Sequence, residues 1–285
     1  MTQTYPIPLA EATIAEFRAR GFVKTENVLT AEELSRFGAA VDAEIAARTA
    51  DDSRSLYEKS RYEQSFIQCM RLWETSPEVL PLSCHPGLAG IAAQLLGVDS
   101  VRMWQDQALY KEPGGKETTP HQDEPFWAIG DEPLVSAWSP FDDVAEESGA
   151  MAYVPGSHHA GVLRVVDITH RSKPYAILDD PALKGAQPEV VPVRAGSVIW
   201  HHGLTVHQAG ANATGQTRRV FTVVYIASNA RRAKHWSTYP LDREGIKVGE
   251  EMRGDSMPVL WPAPSEFPRP PAVVGEKTGP QHKLP

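Results

Sequence analysis

The chain has little cysteine. Only Cys69 and Cys84 occur in 285 residues, too few for a disulfide framework and without the paired spacing of a zinc–thiolate site. Both are expected to be reduced thiols. Long apolar runs are also missing: no uncharged hydrophobic stretch approaches the length of about 18 residues that a membrane helix needs. The opening "MTQTYPIPLAEATIAEF" has neither the basic start nor the apolar block of a secretion signal. The expectation is a cytoplasmic protein with no membrane partner. Positive charge is short as well. A net charge of -8 repels a phosphate backbone, which argues against nucleic acid as a partner. The densest cationic stretch, "NARRAKHW" at 229–236, carries Arg231, Arg232 and Lys234. It reads first as a solvated loop or strand end, and second as a clamp for an acidic substrate.

Internal repeats and low-complexity linkers are absent, so a single domain over residues 1–285 is the simplest partition. Its texture changes once. Up to about residue 99 the pattern is helical. "LTAEELSRFGAAVDAEIAAR" opens on Thr30 with Glu33 three positions on, the spacing of a capping box. "HPGLAGIAAQLLG" has apolar residues at helical spacing and stops at Gly97. Beyond residue 100, "VRMWQDQALY", "LVSAWSPFDDV", "AMAYVPGSH", "GSVIW" and "RRVFTVVYI" are short, β-branched or aromatic, and punctuated by turn residues. Strands that follow helices, rather than alternate with them, argue against a doubly wound parallel sheet. The expected fold is mainly β with flanking helices, a barrel or jelly roll, and 24 Pro and 21 Gly suit its many turns. The last thirty residues, about 256–285, contain "WPAPSEFPRPP" and read as an extended, Pro-rich tail draped over the surface.

The chemistry concentrates in two places. In "TTPHQDEPFW" at 118–127, a strand would point His121 and Asp123 to one face, because side chains alternate with a period of two. An imidazole and a carboxylate converging on one ion suit Fe(II), Mn(II) or Zn(II). A third ligand is sought in "WHHGLTVHQAGANATGQTRRVFTVVYI" at 200–226. There "GANATG" signals a turn, and an antiparallel hairpin centred near Asn212 and Ala213 would set His207 opposite Arg218 and turn Arg219 to the other face. His202 competes with His207 for the ligand role, and one of His201 and His202 is expected to be structural. A buried arginine beside a metal requires an anion. Its planar fork matches a carboxylate such as the far end of 2-oxoglutarate. Two histidines and a carboxylate leave three positions on the ion, enough for the keto acid and O2. Phe126 and Trp127 either roof a substrate pocket or belong to the core.

The stretches "DQALYKEPGGKETTPHQDEPFW", "AWSPFDDVAEESGAMAYVPGSH" and "HHGLTVHQAGANATGQTRRVFTVVYI", in that order over about residues 100–226, resemble the phytanoyl-CoA dioxygenase family of Fe(II)- and 2-oxoglutarate-dependent oxygenases. The resemblance implies a double-stranded β-helix, the cupin-like jelly roll, with iron held by His121, Asp123 and His207. It makes Arg218, eleven residues after His207, the anchor of 2-oxoglutarate, and places Trp138 in the cosubstrate pocket. Thr119 and Gln107 are further candidates for polar contacts to the cosubstrate, and Phe126 and Trp127 for substrate. Some members carry a hydroxyl residue two positions after the distal histidine, where this chain has Ala209. Related halogenases lack the carboxylate ligand, so Asp123 favours hydroxylation. The implied reaction decarboxylates 2-oxoglutarate to succinate and CO2 and hydroxylates a small to medium organic substrate, of natural-product, acyl or amino-acid-like kind. The alternative is a metal-dependent hydrolase or isomerase on a cupin-like barrel, in which the same ligands would activate water; that chemistry has no evident use for Arg218.

Overall fold

The structure, a computed structural model, describes residues 5–130 and 133–272. The first third is largely helical. Helix α1 (Glu11–Arg20) leads into a short strand, β1 (Phe22–Thr25), and then into α2 (Ala31–Thr49). The capping box at the start of α2 is complete: the Thr30 hydroxyl accepts from the Glu33 N–H, and the Glu33 carboxylate accepts from the Thr30 N–H at 2.9 Å. Strand β2 (Ile67–Met70) and the single turn α3 (Leu80–Ser83) precede α4 (Pro86–Leu96). Gly97 ends α4 with φ 68°, a left-handed conformation that suits glycine. Leu88, Ile91 and Ala92 of α4 are fully buried. β1 and β2 depart from the all-helical expectation. At four residues each they are too short to show a period of two, and partners elsewhere in the chain recruit them as strands.

The β region continues as β3 (Val101–Tyr110), β4 (Thr118–His121), β5 (Leu134–Pro140), β6 (Met151–Tyr153), β7 (Glu189–Val191), β8 (Val198–His202), β9 (His207–Ala209) and β10 (Val220–Ala227). A short helix, α5 (Tyr239–Arg243), and β11 (Val259–Trp261) follow. The larger sheet runs β1-β8-β5-β10-β3-β11, with β2 also on β3, and the smaller runs β4-β9-β6-β7. The strands pair antiparallel throughout, and the fold is the double-stranded β-helix of the jelly-roll class. β11 and the fully buried Leu260 tie the tail into the sheet edge, so the tail is not merely draped there; residues 273–285 lie outside the described residues.

Every residue of β5 and β10 is buried, because the larger sheet is covered on both faces. Val135, Ala137, Phe221, Val223 and Tyr225 pack with Leu88 and Ile91 of α4 in the main core. The alternate positions, among them Trp138 and Thr222, face inward. A bulge in β3 exploits this alternation. Val224 pairs with Gln105 but Tyr225 pairs with Met103, so Trp104 is the extra residue. Beyond it the faces exchange, and Gln105, Gln107 and Leu109 point into the interior of the roll.

The expected hairpin at 210–215 does not form. β9 belongs to the smaller sheet and β10 to the larger, so the segment between them crosses from one sheet to the other. Asn212 pins the crossing: its Nδ2 donates to the Lys111 carbonyl at 2.9 Å and the Gln216 carbonyl at 2.7 Å. Turn residues that close a hairpin equally serve such a crossover, and β9, with three residues, is too short to reveal its partner. Among the described residues no helix is long and apolar enough to cross a membrane.

Candidate metal centre and cosubstrate pocket

His121 ends β4 directly opposite His207 at the start of β9, so the smaller sheet itself brings the two imidazoles together. Asp123 arrives differently from the expectation. It lies past the strand end, with φ −78° and ψ −47°, at the head of the turn Glu124–Phe126. Its own N–H and that of Glu124 donate to the Gly203 carbonyl at 3.0 Å, which fixes the turn. One nitrogen from each histidine and one Asp123 oxygen all lie within 4.8 Å of one another. Nε2 of His121 is 3.4 Å, and Nε2 of His207 3.6 Å, from Asp123 Oδ1.

The far side of each ring sets its tautomer. Nδ1 of His121 is 2.7 Å from the Thr119 carbonyl, and Nδ1 of His207 is 2.9 Å from the Thr205 carbonyl. A carbonyl only accepts, so each Nδ1 carries the proton and each Nε2 lone pair is aimed at the shared point. Burial pushes the His207 imidazole down to about 3, against the pull of Asp123. Burial also opposes charge on Asp123, but the imidazoles of His207, His121 and His201 more than offset it and hold the carboxyl well below its usual range. Neutral imidazoles and an ionised carboxylate are the forms that bind a divalent ion.

His201, one of the two histidines of which one was expected to be structural, orients this carboxylate. Its Nε2 is 3.3 Å from Asp123 Oδ2, and its Nδ1 is 3.4 Å from the hydroxyl of Tyr153, a fully buried ring stacked on Phe22. His202 turns elsewhere: its Nδ1 accepts from the Leu204 N–H at 3.1 Å, and it lies beside His158 rather than with the three convergent groups.

Arg218 follows the crossover and is held by paired backbone hydrogen bonds with Lys111. It is 5% exposed, lies over the Trp138 ring, and donates from one terminal nitrogen to the Gly149 carbonyl at 2.6 Å. Its Nε has no partner, and no carboxylate pairs with it among the described residues. Burial lowers its pKa to about 10. Arg219 points the other way, onto Asp142 and Asp42, as expected.

Arg218, Trp138, Gln107, Phe126 and Trp127 line one pocket together with His121, Asp123 and His207. It holds about 760 Å³ of atom-free space, its mouth included. Thr119 is not among the lining residues. A bulge between Thr118 and His121 breaks the alternation, so Thr118 lines the pocket while the Thr119 hydroxyl meets His170 Nε2 at 2.7 Å. Of the cations of 229–236, Arg231 is exposed and donates to the Gly249 carbonyl at 2.8 Å, while the other two are tied into the fold. Arg232 bonds Asp242 and the Ile246 carbonyl, each at 2.7 Å, and Lys234 donates to the Trp127 carbonyl at 2.8 Å.

A family model described as phytanoyl-CoA dioxygenase matches residues 17–220. The chain belongs to the phytanoyl-CoA dioxygenase family. Membership and the His–Asp–His donor set together give its cofactors as Fe(II), 2-oxoglutarate and O2. Among curated proteins, the family's phytanoyl-CoA dioxygenase domain-containing protein 1 of Danio rerio is 32% identical over 133 residues, 41% of this chain and 42% of that protein. The matched region thus spans under half the length of that relative. Among solved structures, the non-heme alpha ketoglutarate dependent carbocyclase SnoK from nogalamycin biosynthesis superimposes with a TM-score of 0.74 at 29% identity, covering 90% of this chain and 98% of that one. The epimerase SnoN, in complex with Fe3+, alpha ketoglutarate and nogalamycin RO, gives 0.71 at 27% identity, covering 88% and 98%. Over most of its length the chain is therefore similar to enzymes of the non-haem iron, 2-oxoglutarate-dependent class.

Proposed function

We propose that the protein is a hydroxylase that consumes 2-oxoglutarate and O2, releases succinate and CO2, and oxidises a small to medium organic substrate. His121, Asp123 and His207 would hold the iron, and the donor set of two imidazoles and one carboxylate suits it. Bound iron supplies the oxidising power; the chain supplies position and a dry surround. His201 steadies the outer oxygen of Asp123, and Trp138 gives Arg218 a flat surface beneath its guanidinium. Gln107 faces the same pocket, where its amide is available to the cosubstrate. Phe126 and Trp127 border the space left for the substrate.

The observation that carries this reading is Arg218, a buried cation with an unpartnered Nε in the same pocket as the three ligands. Such a group is costly unless an anion completes it, and the distal carboxylate of 2-oxoglutarate does so. Anaerobic titration of the Fe(II) protein with 2-oxoglutarate should produce the visible charge-transfer band of the chelate. Arg218→Ala should weaken that titration by about 100-fold or more while iron stays bound. No band, together with turnover supported by zinc, would replace this reading with that of a hydrolase. Retention of Asp123 supports hydroxylation, and coupled succinate release across candidate compounds would identify the oxidised substrate.

A further inference from the structure

The pocket lies between two separate apolar clusters. Trp138, Met151, Ala209 and Leu109 belong to the cluster beneath Arg218, the end assigned to the cosubstrate. Tyr62, Phe66, Phe126, Trp127 and Ile168 belong to the other. At this second end Tyr62 and Phe66 meet edge to face at 5.1 Å, and Phe126 stands edge-on to His121 at 6.1 Å. The polar groups there are amides: Tyr62 donates to Gln68 Oε1 at 3.0 Å, and Gln68 Nε2 donates to Gln107 Oε1 at 2.7 Å. Among the lining residues only Asp123 and Arg218 bear a fixed charge, and metal and cosubstrate engage both. Nearby cations are tied to other partners, Arg61 to Glu117 and Lys234 to the Trp127 carbonyl.

We infer that the primary substrate is uncharged where it enters, largely apolar and ring-bearing, and that a hydroxyl or carbonyl on it meets the amides of Gln68 and Gln105. This rests on the oxygenase reading for its division of the pocket. An ionised group at the second end would lose its hydration and find no countercharge, whereas aromatic walls suit a flat ring.

The test is equilibrium dialysis of 1-naphthol and 1-naphthoate at pH 7 against the protein holding Fe(II) and 2-oxoglutarate under anaerobic conditions. The neutral probe should bind about tenfold tighter or more. Ile168→Lys, which adds the missing cation, should reverse that preference while the charge-transfer band persists. Equal binding, preference for naphthoate in the unaltered protein, or binding of neither probe overturns the inference. Failure of the band while 1-naphthol still binds selectively would sink the oxygenase reading and leave the neutral character of this pocket standing.

A second, independent observation concerns the cosubstrate end. The Thr222 hydroxyl is buried, lines the pocket and has no hydrogen-bond partner among the described residues. In the β5–β10 ladder it sits opposite Trp138, and it follows Arg218 on the same chain segment. Ala209, where some family members carry a hydroxyl, lines the pocket without one. The structure assigns to Thr222 the second contact of the distal carboxylate, beside Arg218. Thr222→Val, which keeps the shape and removes the oxygen, should weaken 2-oxoglutarate in the band titration about tenfold, with iron affinity unchanged, and Thr222→Ser should retain the affinity. Unchanged affinity in Thr222→Val, or an equal loss in both variants, overturns the assignment.

Discussion

Replacing Lys111 by methionine should stabilise the protein, and the gain should shrink as pH rises. The Lys111 side chain is fully buried, and no carboxylate pairs with it among the described residues. Its ammonium nitrogen reaches the Lys116 carbonyl, and the Arg218 guanidinium lies near enough to repel a charge. Burial first, then Arg218, push its pKa from 10.5 down to about 6. Between those values the unfolded chain holds a proton that the folded chain does not, so stability climbs as pH rises, by about 1.4 kcal/mol per pH unit. Below about 6 both states are protonated and the slope from this group vanishes. At pH 8 the deprotonation forced by folding costs about 3 kcal/mol (2.5 pH units below 10.5). Lys111→Met, close in length and apolar, removes that cost. Urea unfolding of both proteins at pH 7, 8 and 9 isolates the effect, because other titrating groups cancel in the difference. The variant's advantage should fall by about 1.4 kcal/mol at each step. An advantage that stays constant with pH would show that Lys111 remains protonated in the folded state, and would refute the reasoning.

His201→Phe leaves Asp123 Oδ2 without its imidazole partner, and should weaken Fe(II) binding by about 10- to 100-fold in equilibrium dialysis; unchanged affinity would mean that the turn at Gly203 alone orients the carboxylate. Gly149→Ala places a side chain at φ 85°, with its Cβ 2.8 Å from the Gly210 carbonyl oxygen and 3.0 Å from Lys111. It should lower stability by about 2 kcal/mol in a thermal melt. Because the Gly149 carbonyl accepts from Arg218, it should also weaken 2-oxoglutarate binding in the band titration. A variant with wild-type stability and affinity would show that the loop shifts freely.

The parts of the fold legible in the sequence were those with a strong local signal. "VRMWQDQALY" coincides with β3, Thr30 and Glu33 mark the start of α2, and Gly97 its counterpart at the end of α4. β1 and β2 carried no such signal, because four residues show no usable period and their pairing is set by β8 and β3. At the site, residue spacing brought His121 and Asp123 forward, the family resemblance added His207, and the structure gathers all three. The routes by which they converge differ from the strand-face and hairpin expectations. Asp123 converges through a turn rather than a strand face, and Arg218 reaches the pocket from the other sheet rather than across a hairpin. Thr119 was misplaced because a bulge is invisible in a four-residue strand. The roles of His201 and Thr222 depend on what lies opposite them in space, and nothing adjacent in the chain announces it.

The crossover between β9 and β10 separates two tasks mechanically. His207 takes its position from β4 and β6, whereas β10 beyond Arg218 takes its own from β5 and β3. In a hairpin, one inserted residue would throw the arginine to the opposite face; here it would only enlarge an outward arc. Ala213, Gly215 and Gln216 are exposed and nothing crowds Gly215. That arc is a natural place for lineages to vary in length, or for a reporter group to be grafted, without disturbing either wall.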